Sequence, residues 1–159
     1  MIKVTVIAPA GLKEEYLRQA AGEYEKRLRA YCDLRLIEFK PVRLPEKPSQ
    51  KEIADALKKE AEEIIRKIPA DSKTVALCIE GESLSSVELA KEMRSCAEEG
   101  KPVAFLIGSS YGLDETVKHR CEKRLSFSAM TFPHQLFRIM LLEQIYRAFR
   151  INAGAAYHK

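Results

Sequence analysis

Hydrophobic positions along the chain switch repeatedly between a strand-like period and a helical one. Lys3 to Ala8 is a β-branched apolar run bounded by Pro9-Ala10-Gly11, which predicts a buried strand of a parallel or mixed sheet. From Lys13 to Arg29, Tyr16, Leu17, Ala20, Ala21, Tyr24 and Leu28 recur at helical spacing with charges between them. Asp33 to Phe39 alternates as a second strand, and Lys40 to Pro48 is a basic loop with prolines at 41, 45 and 48. Ser49 and Glu52 form a capping-box signature for a helix running through Leu57, Ala61 and Ile64 to Ile68. Thr74 to Ile79 predicts a third strand ending at Glu80-Gly81-Glu82. Ser85 and Glu88 open another helix, which Gly100 closes. Val103 to Ile107 is the most purely apolar strand and belongs at the centre of the sheet. Asp114 caps a short helix to about Cys121, Leu125 to Ser128 predicts a fifth strand, and a last helix begins with Pro133 in its first turn.

Strands alternate with helices throughout, so the expected class is α/β, a three-layer sandwich formed by one domain over residues 1–159. The last helix is unusual. Phe137, Ile139, Leu141, Leu142, Ile145, Tyr146 and Phe149 cover more than half its circumference, whereas packing on a sheet needs a stripe of roughly 100°. Two explanations fit, a self-associating dimer face or deep burial within the chain. Arg138 falls inside that apolar arc and requires acceptors, from a carboxylate or carbonyl or within a site.

Composition changes this picture little, and charge somewhat more. With 46% hydrophobic and 31% charged residues the chain reads as an ordinary globular protein, with no apolar run long enough to span a membrane and no secretion signal at its start. The net charge is +4, and from His119 onward seven Lys/Arg stand against two Asp/Glu. That quarter would attract a polyanion such as RNA, or would be a solvated basic face. Cys32, Cys78, Cys96 and Cys121 form no CxxC, which points to reduced thiols in a cytoplasmic protein; Cys78, inside a strand pattern, reads as a core residue. His119, His134 and His158 do not cluster at metal-ligand spacing, so no metal is expected.

Dinucleotide and mononucleotide glycine fingerprints are absent. Gly108-Ser109-Ser110-Tyr111-Gly112 matches the GxSxG spacing of a nucleophile elbow, which would make Ser110 the nucleophile of a hydrolase, but no acid and histidine follow in clear triad order. A different reading uses the glycines themselves. Gly108 and Gly112 let the backbone approach a flat ligand at the end of the central strand, with the turn Phe127 to Phe132 beside it and Leu77 and Ile79 as an apolar wall.

Several segments together resemble the ribosomal RNA large subunit methyltransferase H family. They are Phe105-Leu106-Ile107-Gly108, Tyr111-Gly112-Leu113, Leu125 through His134, Glu143 through Phe149, and the terminal Tyr157-His158-Lys159, so the similarity spans the chain. The resemblance implies a SPOUT-type α/β knot, with a C-terminal trefoil knot forming the cofactor pocket. It also implies a homodimer that uses S-adenosyl-L-methionine to methylate N3 of a pseudouridine in 23S rRNA, on the assembled 70S ribosome. Cofactor contacts carried over by position fall on Leu77, Gly108, Phe127, Ser128, Ala129, Met130, Thr131 and Phe132. Arg147, Tyr157, His158 and Lys159 match positions on the rRNA side, as catalytic candidates.

Methylation of a ring nitrogen requires loss of its proton and alignment with the methyl donor. On this reading His158 accepts the proton, while Arg147 and Lys159 offset the developing negative charge. His134, beside Pro133 at a helix start, either shapes the turn or serves as a base. One departure stands out: family members usually carry Gly-Gly where this chain has Gly108-Ser109.

Overall fold

The computed structural model describes residues 1–155, which form ten elements in strict alternation. They are β1 (Ile2–Pro9), α1 (Glu15–Leu28), β2 (Cys32–Phe39), α2 (Gln50–Lys67), β3 (Lys73–Ser83), α3 (Ser86–Glu98), β4 (Val103–Ile107), α4 (Glu115–Arg120), β5 (Lys123–Ser126) and α5 (His134–Asn152). The five strands make one parallel sheet in the order β2-β1-β4-β3-β5. As its composition predicts, β4 is central and buried at every position.

Strand alternation divides the core in two. Val4, Val6, Val75, Leu77, Val103, Phe105 and Ile107 point to one face, where Leu28 of α1, Met93 of α3 and Leu141, Leu142 and Ile145 of α5 cover them. Ile7, Ala76, Ala104 and Leu106 point to the other, beneath Ala61 and Ile64 of α2 and Val117 of α4. Three layers follow from the period-2 pattern of fully buried strands. Both capping boxes are present: Ser49 accepts from the Glu52 N–H and Ser85 from the Glu88 N–H, each at 3.1 Å, and each Glu reaches back to the cap.

Four local expectations are corrected. β3 does not end at Ile79 but continues to Ser83, because β5 pairs with Glu82 and Ser83 after a register shift from Leu77. β5 covers Lys123–Ser126 rather than Leu125–Ser128. Its two charged residues remain in the strand because Lys123 ion-pairs with Glu92 and Glu82, and Arg124 with Glu115. Pro133 is the N-cap of α5, its carbonyl accepting the first helical bond from the Phe137 N–H at 2.9 Å. Cys78 is only half-buried: β3–β4 pairing ends at Leu77 and Ile107, so Cys78 lies past the part of β3 that β4 covers.

The wide apolar arc of α5 is largely used within the chain, since α5 packs between α1 and α3. Phe149 stacks on Tyr31 with ring centroids 5.8 Å apart, and Tyr146 meets Tyr24 at 6.3 Å. Phe137, Ile139 and Met140 stay half-buried. Arg138, 5% exposed, finds the acceptors it needs: its guanidinium donates to the Pro9 carbonyl and to Glu38 Oε2 at 2.9 Å. It thereby ties α5 to the ends of β1 and β2. Arg138→Met should lower stability by about 2–3 kcal/mol, less than the roughly 3–5 kcal/mol of a fully buried pair because the half-exposed Glu38 rehydrates. Urea denaturation measures it; a loss below about 1 kcal/mol would show that the pair contributes little.

Candidate active site

In a parallel sheet every strand ends at the same edge, and ligands bind where neighbouring strands send their connections to opposite faces. Here β4 meets that condition on both sides: the chain leaves β4 for α4 on one face, and leaves its neighbours β1 and β3 for α1 and α3 on the other. The loops at this edge, with the end of β3 and the start of α5, enclose a cavity of about 1010 Å³. Its walls comprise Lys13 to Leu17 without Glu15, Leu77 to Glu80, Ile107 to Leu113, Lys118, and most of the stretch from Phe127 to Phe137.

The Gly108 turn is built from backbone. Ser109 and Gly112 form an isolated antiparallel bridge in which the Gly112 N–H donates to the Ser109 carbonyl at 2.8 Å. A Cβ on Gly108 would lie 2.3 Å from the Gly112 carbonyl carbon, so no side chain fits there. Gly112 needs its own freedom for another reason, a φ of +87°. Leu113 anchors the turn in the second core, and Asp114 caps α4 by accepting from the Thr116 N–H at 3.0 Å. Opposite, Ser128 Oγ accepts from the Met130 N–H at 3.0 Å and the rings of Phe127 and Phe137 pack at 4.8 Å, which shape the 127–132 turn. Gln135 Oε1 accepts from the Lys13 N–H at 3.1 Å, joining the loop after β1 to the start of α5. At the rim, Lys118 hydrogen-bonds Glu80 and holds its carboxyl below the usual range, so Glu80 is ionised at neutral pH.

A family model described as "Predicted SPOUT methyltransferase" matches residues 2–158. The chain belongs to the SPOUT methyltransferase family. Two relatives align over 159 residues, with 99% of this chain and all of each relative covered. Both carry the name "Ribosomal RNA large subunit methyltransferase H"; the protein from Clostridioides difficile (strain 630) is 46% identical and that from Bacillus pumilus (strain SAFR-032) 45%. The resemblance read from the glycine turn, the Pro-His turn and the tail is thus borne out.

In this SPOUT methyltransferase, Leu77, Gly108, Phe127, Ser128, Met130, Thr131 and Phe132 all reach the cavity, as does Ile79. Ala129 does not: it sits exposed at the tip of the same turn. Arg147 is also away from these walls, far along α5, where it ion-pairs with Glu143 at 2.7 Å. Tyr157, His158 and Lys159 lie outside the described residues. Sequence reasoning missed Lys13, Tyr16 and Lys118 as wall residues, because only the folded edge brings them together. It also missed Glu60, whose position among Ala56, Ala61 and Ile64 on the buried stripe of α2 was a legible signal.

Among the described residues the hydrolase arrangement does not form. Ser110 is exposed in a turn, α4 starts only at Glu115, and among the described residues no histidine hydrogen-bonds Ser110; His119 is bound to Glu115 instead. The described residues contain no metal-ligand cluster and no helix long and apolar enough to cross a membrane. All four thiols are unactivated: burial pushes each one up, Cys32 to about 12.

His134, half-buried in the cavity wall, has its pKa lowered from 6.5 first by burial and then by the positive charges of Arg138 and Lys13. The neutral imidazole is therefore the folded form at neutral pH. Below pH 6.5 the unfolded chain takes up a proton that the folded chain resists, so this contribution to stability is present above 6.5 and lost as pH falls below it. His134→Asn should flatten that part of the profile. Urea midpoints at pH 7.5 and 5.5 would test it, and equal acid losses in both proteins would exclude the effect.

Proposed function

We propose that this SPOUT methyltransferase moves a methyl group from S-adenosyl-L-methionine to N3 of a pseudouridine in 23S rRNA, acting as a cytoplasmic homodimer on the assembled 70S ribosome. The observation that carries the cofactor reading is the Gly108 turn, closed so tightly on Gly112 that no Cβ fits and presenting its backbone to the cavity where β4 and its neighbours send the chain to opposite faces of a parallel sheet. The surroundings suit that cofactor. Leu77, Ile79 and Phe127 offer an apolar wall for a flat base, backbone groups of 108–113 and 127–132 offer polar partners for its edge, and ionised Glu80 accepts from hydroxyl or ammonium donors. When bound, S-adenosyl-L-methionine supplies an electrophilic methyl group. The names of the relatives support an rRNA acceptor.

In this reading the protein's own groups handle the proton and the charge. Pseudouridine N3 loses its proton to His158, and the guanidinium of Arg147 and the ammonium of Lys159 offset the resulting negative charge, with Tyr157 beside them. Ten residues of helix separate Phe137 from Arg147, a rise of roughly 15 Å. A homodimer reconciles that separation with a single reaction centre, the far end of α5 and the tail of one subunit meeting the cavity of the other. The trefoil knot belongs to the same proposal, the C-terminal segment being threaded through a loop of its own chain to make the cofactor pocket.

Calorimetric titration with S-adenosyl-L-methionine, followed by transfer of its labelled methyl group to 70S ribosomes or to free 23S rRNA, tests the proposal. Binding and a strong preference for ribosomes are expected. A protein that binds no cofactor would instead be a ribosome-binding module, and equal labelling of free rRNA would remove the requirement for the assembled particle.

A further inference from the structure

Two charged residues are buried among the described residues, and both brace loops at the ligand edge. Arg138 holds the ends of β1 and β2. Glu60, on α2 and 4% exposed, does something different: Oε1 accepts from Ser109 Oγ at 2.6 Å and Oε2 accepts from the Val42 N–H at 2.8 Å. One carboxylate therefore joins the cofactor-side turn to the loop that follows β2. That loop, residues 40–48, leaves the sheet at the same edge as the cavity, where the Ala10 N–H donates to the Phe39 carbonyl at 2.8 Å. It carries Lys40, Arg43 and Lys47, all exposed and none ion-paired among the described residues. Desolvating a carboxylate is costly, and an apolar side chain on α2 would serve the core at least as well. Its two loop hydrogen bonds are what a hydrocarbon there would not supply.

Resting on the function proposed above, we infer that Glu60 is a positioning residue that holds the 108–112 turn and the basic 40–48 loop in one register, so that the loop meets RNA phosphates while the turn holds the cofactor. The carboxylate touches neither ligand. It acts through Ser109 on one side and the Val42 backbone on the other, and the cations of the loop make the salt-dependent contact with the substrate.

Steady-state kinetics of the full chain with 70S ribosomes separates the two arms. Ser109→Ala should raise the KM for S-adenosyl-L-methionine roughly tenfold or more, the effect of losing one hydrogen bond to a charged group, with kcat and the KM for ribosomes unchanged. The triple change Lys40→Ala, Arg43→Ala and Lys47→Ala should raise the KM for ribosomes and flatten its salt dependence without altering cofactor affinity. Glu60→Ala should raise both KM values, and Glu60→Gln, which keeps one acceptor, should recover part of the effect.

A lower melting temperature with both KM values unchanged in Ser109→Ala and Glu60→Gln would reduce Glu60 to a structural residue and overturn the inference. An unchanged ribosome KM in the triple variant would overturn the RNA arm. Absence of cofactor binding by the wild-type chain would overturn both this inference and the function it rests on, whereas normal wild-type binding with unaltered variants overturns the inference alone.

Discussion

Gly108→Ala should weaken S-adenosyl-L-methionine binding by about 100-fold or more and reduce methyl transfer accordingly. The reason is geometric. The added Cβ would lie 2.3 Å from the Gly112 carbonyl carbon, 2.5 Å from its oxygen and 2.8 Å from its Cα, all of them backbone atoms that cannot rotate away. Relief requires moving the turn by about 1 Å, which opens the Ser109–Gly112 bridge and displaces the groups facing the cavity. Displacements of that size cost on the order of 10² in positioned chemistry. The fold itself should lose only about 1–3 kcal/mol, because the overpacking is local. Gly112→Ala is the matching control. Its Cβ would meet nothing within 4 Å, and its penalty comes from a φ of +87°, about 1–2 kcal/mol. Calorimetry of the two variants separates crowding from backbone strain; near-normal affinity in Gly108→Ala would show that the turn does not cradle the cofactor.

Removing Tyr157 to Lys159 should reduce methylation of 70S ribosomes by at least about 10³-fold, the combined effect of losing a proton acceptor and a charge-stabilising cation. Cofactor binding and thermal stability should remain close to those of the intact chain, since among the described residues the walls of the cavity are formed by residues no later than Phe137. His158→Ala alone should account for much of the loss and should remove the acidic limb of the pH–rate profile. Sedimentation of the truncated protein should match that of the intact one. Normal turnover by the truncated chain would take the tail out of the mechanism and leave the proton acceptor to be sought within the cavity wall, where the neutral His134 stands.

Much of this protein is determined by local sequence. Two capping boxes, the all-apolar Val103–Ile107 strand and the alternating elements specify a layered parallel sheet, because caps act over one turn and burial on both faces demands uninterrupted apolar runs. Gly108 and the 127–132 turn were also legible, as a residue type and a motif whose constraints are local. Tertiary structure decided the rest. β3 extends through Glu80-Gly81-Glu82 and β5 begins at charged Lys123 because strand pairing and ion pairs across elements outweigh local propensity. Arg138 took the Pro9 carbonyl and Glu38, 129 and 100 residues away in the chain, and Glu60 took Ser109 and Val42; periodicity shows that such charges are buried but cannot name their partners. The cavity itself is of this second kind, since its walls come from the ends of β1, β3, β4 and β5, which only the strand order brings to one edge.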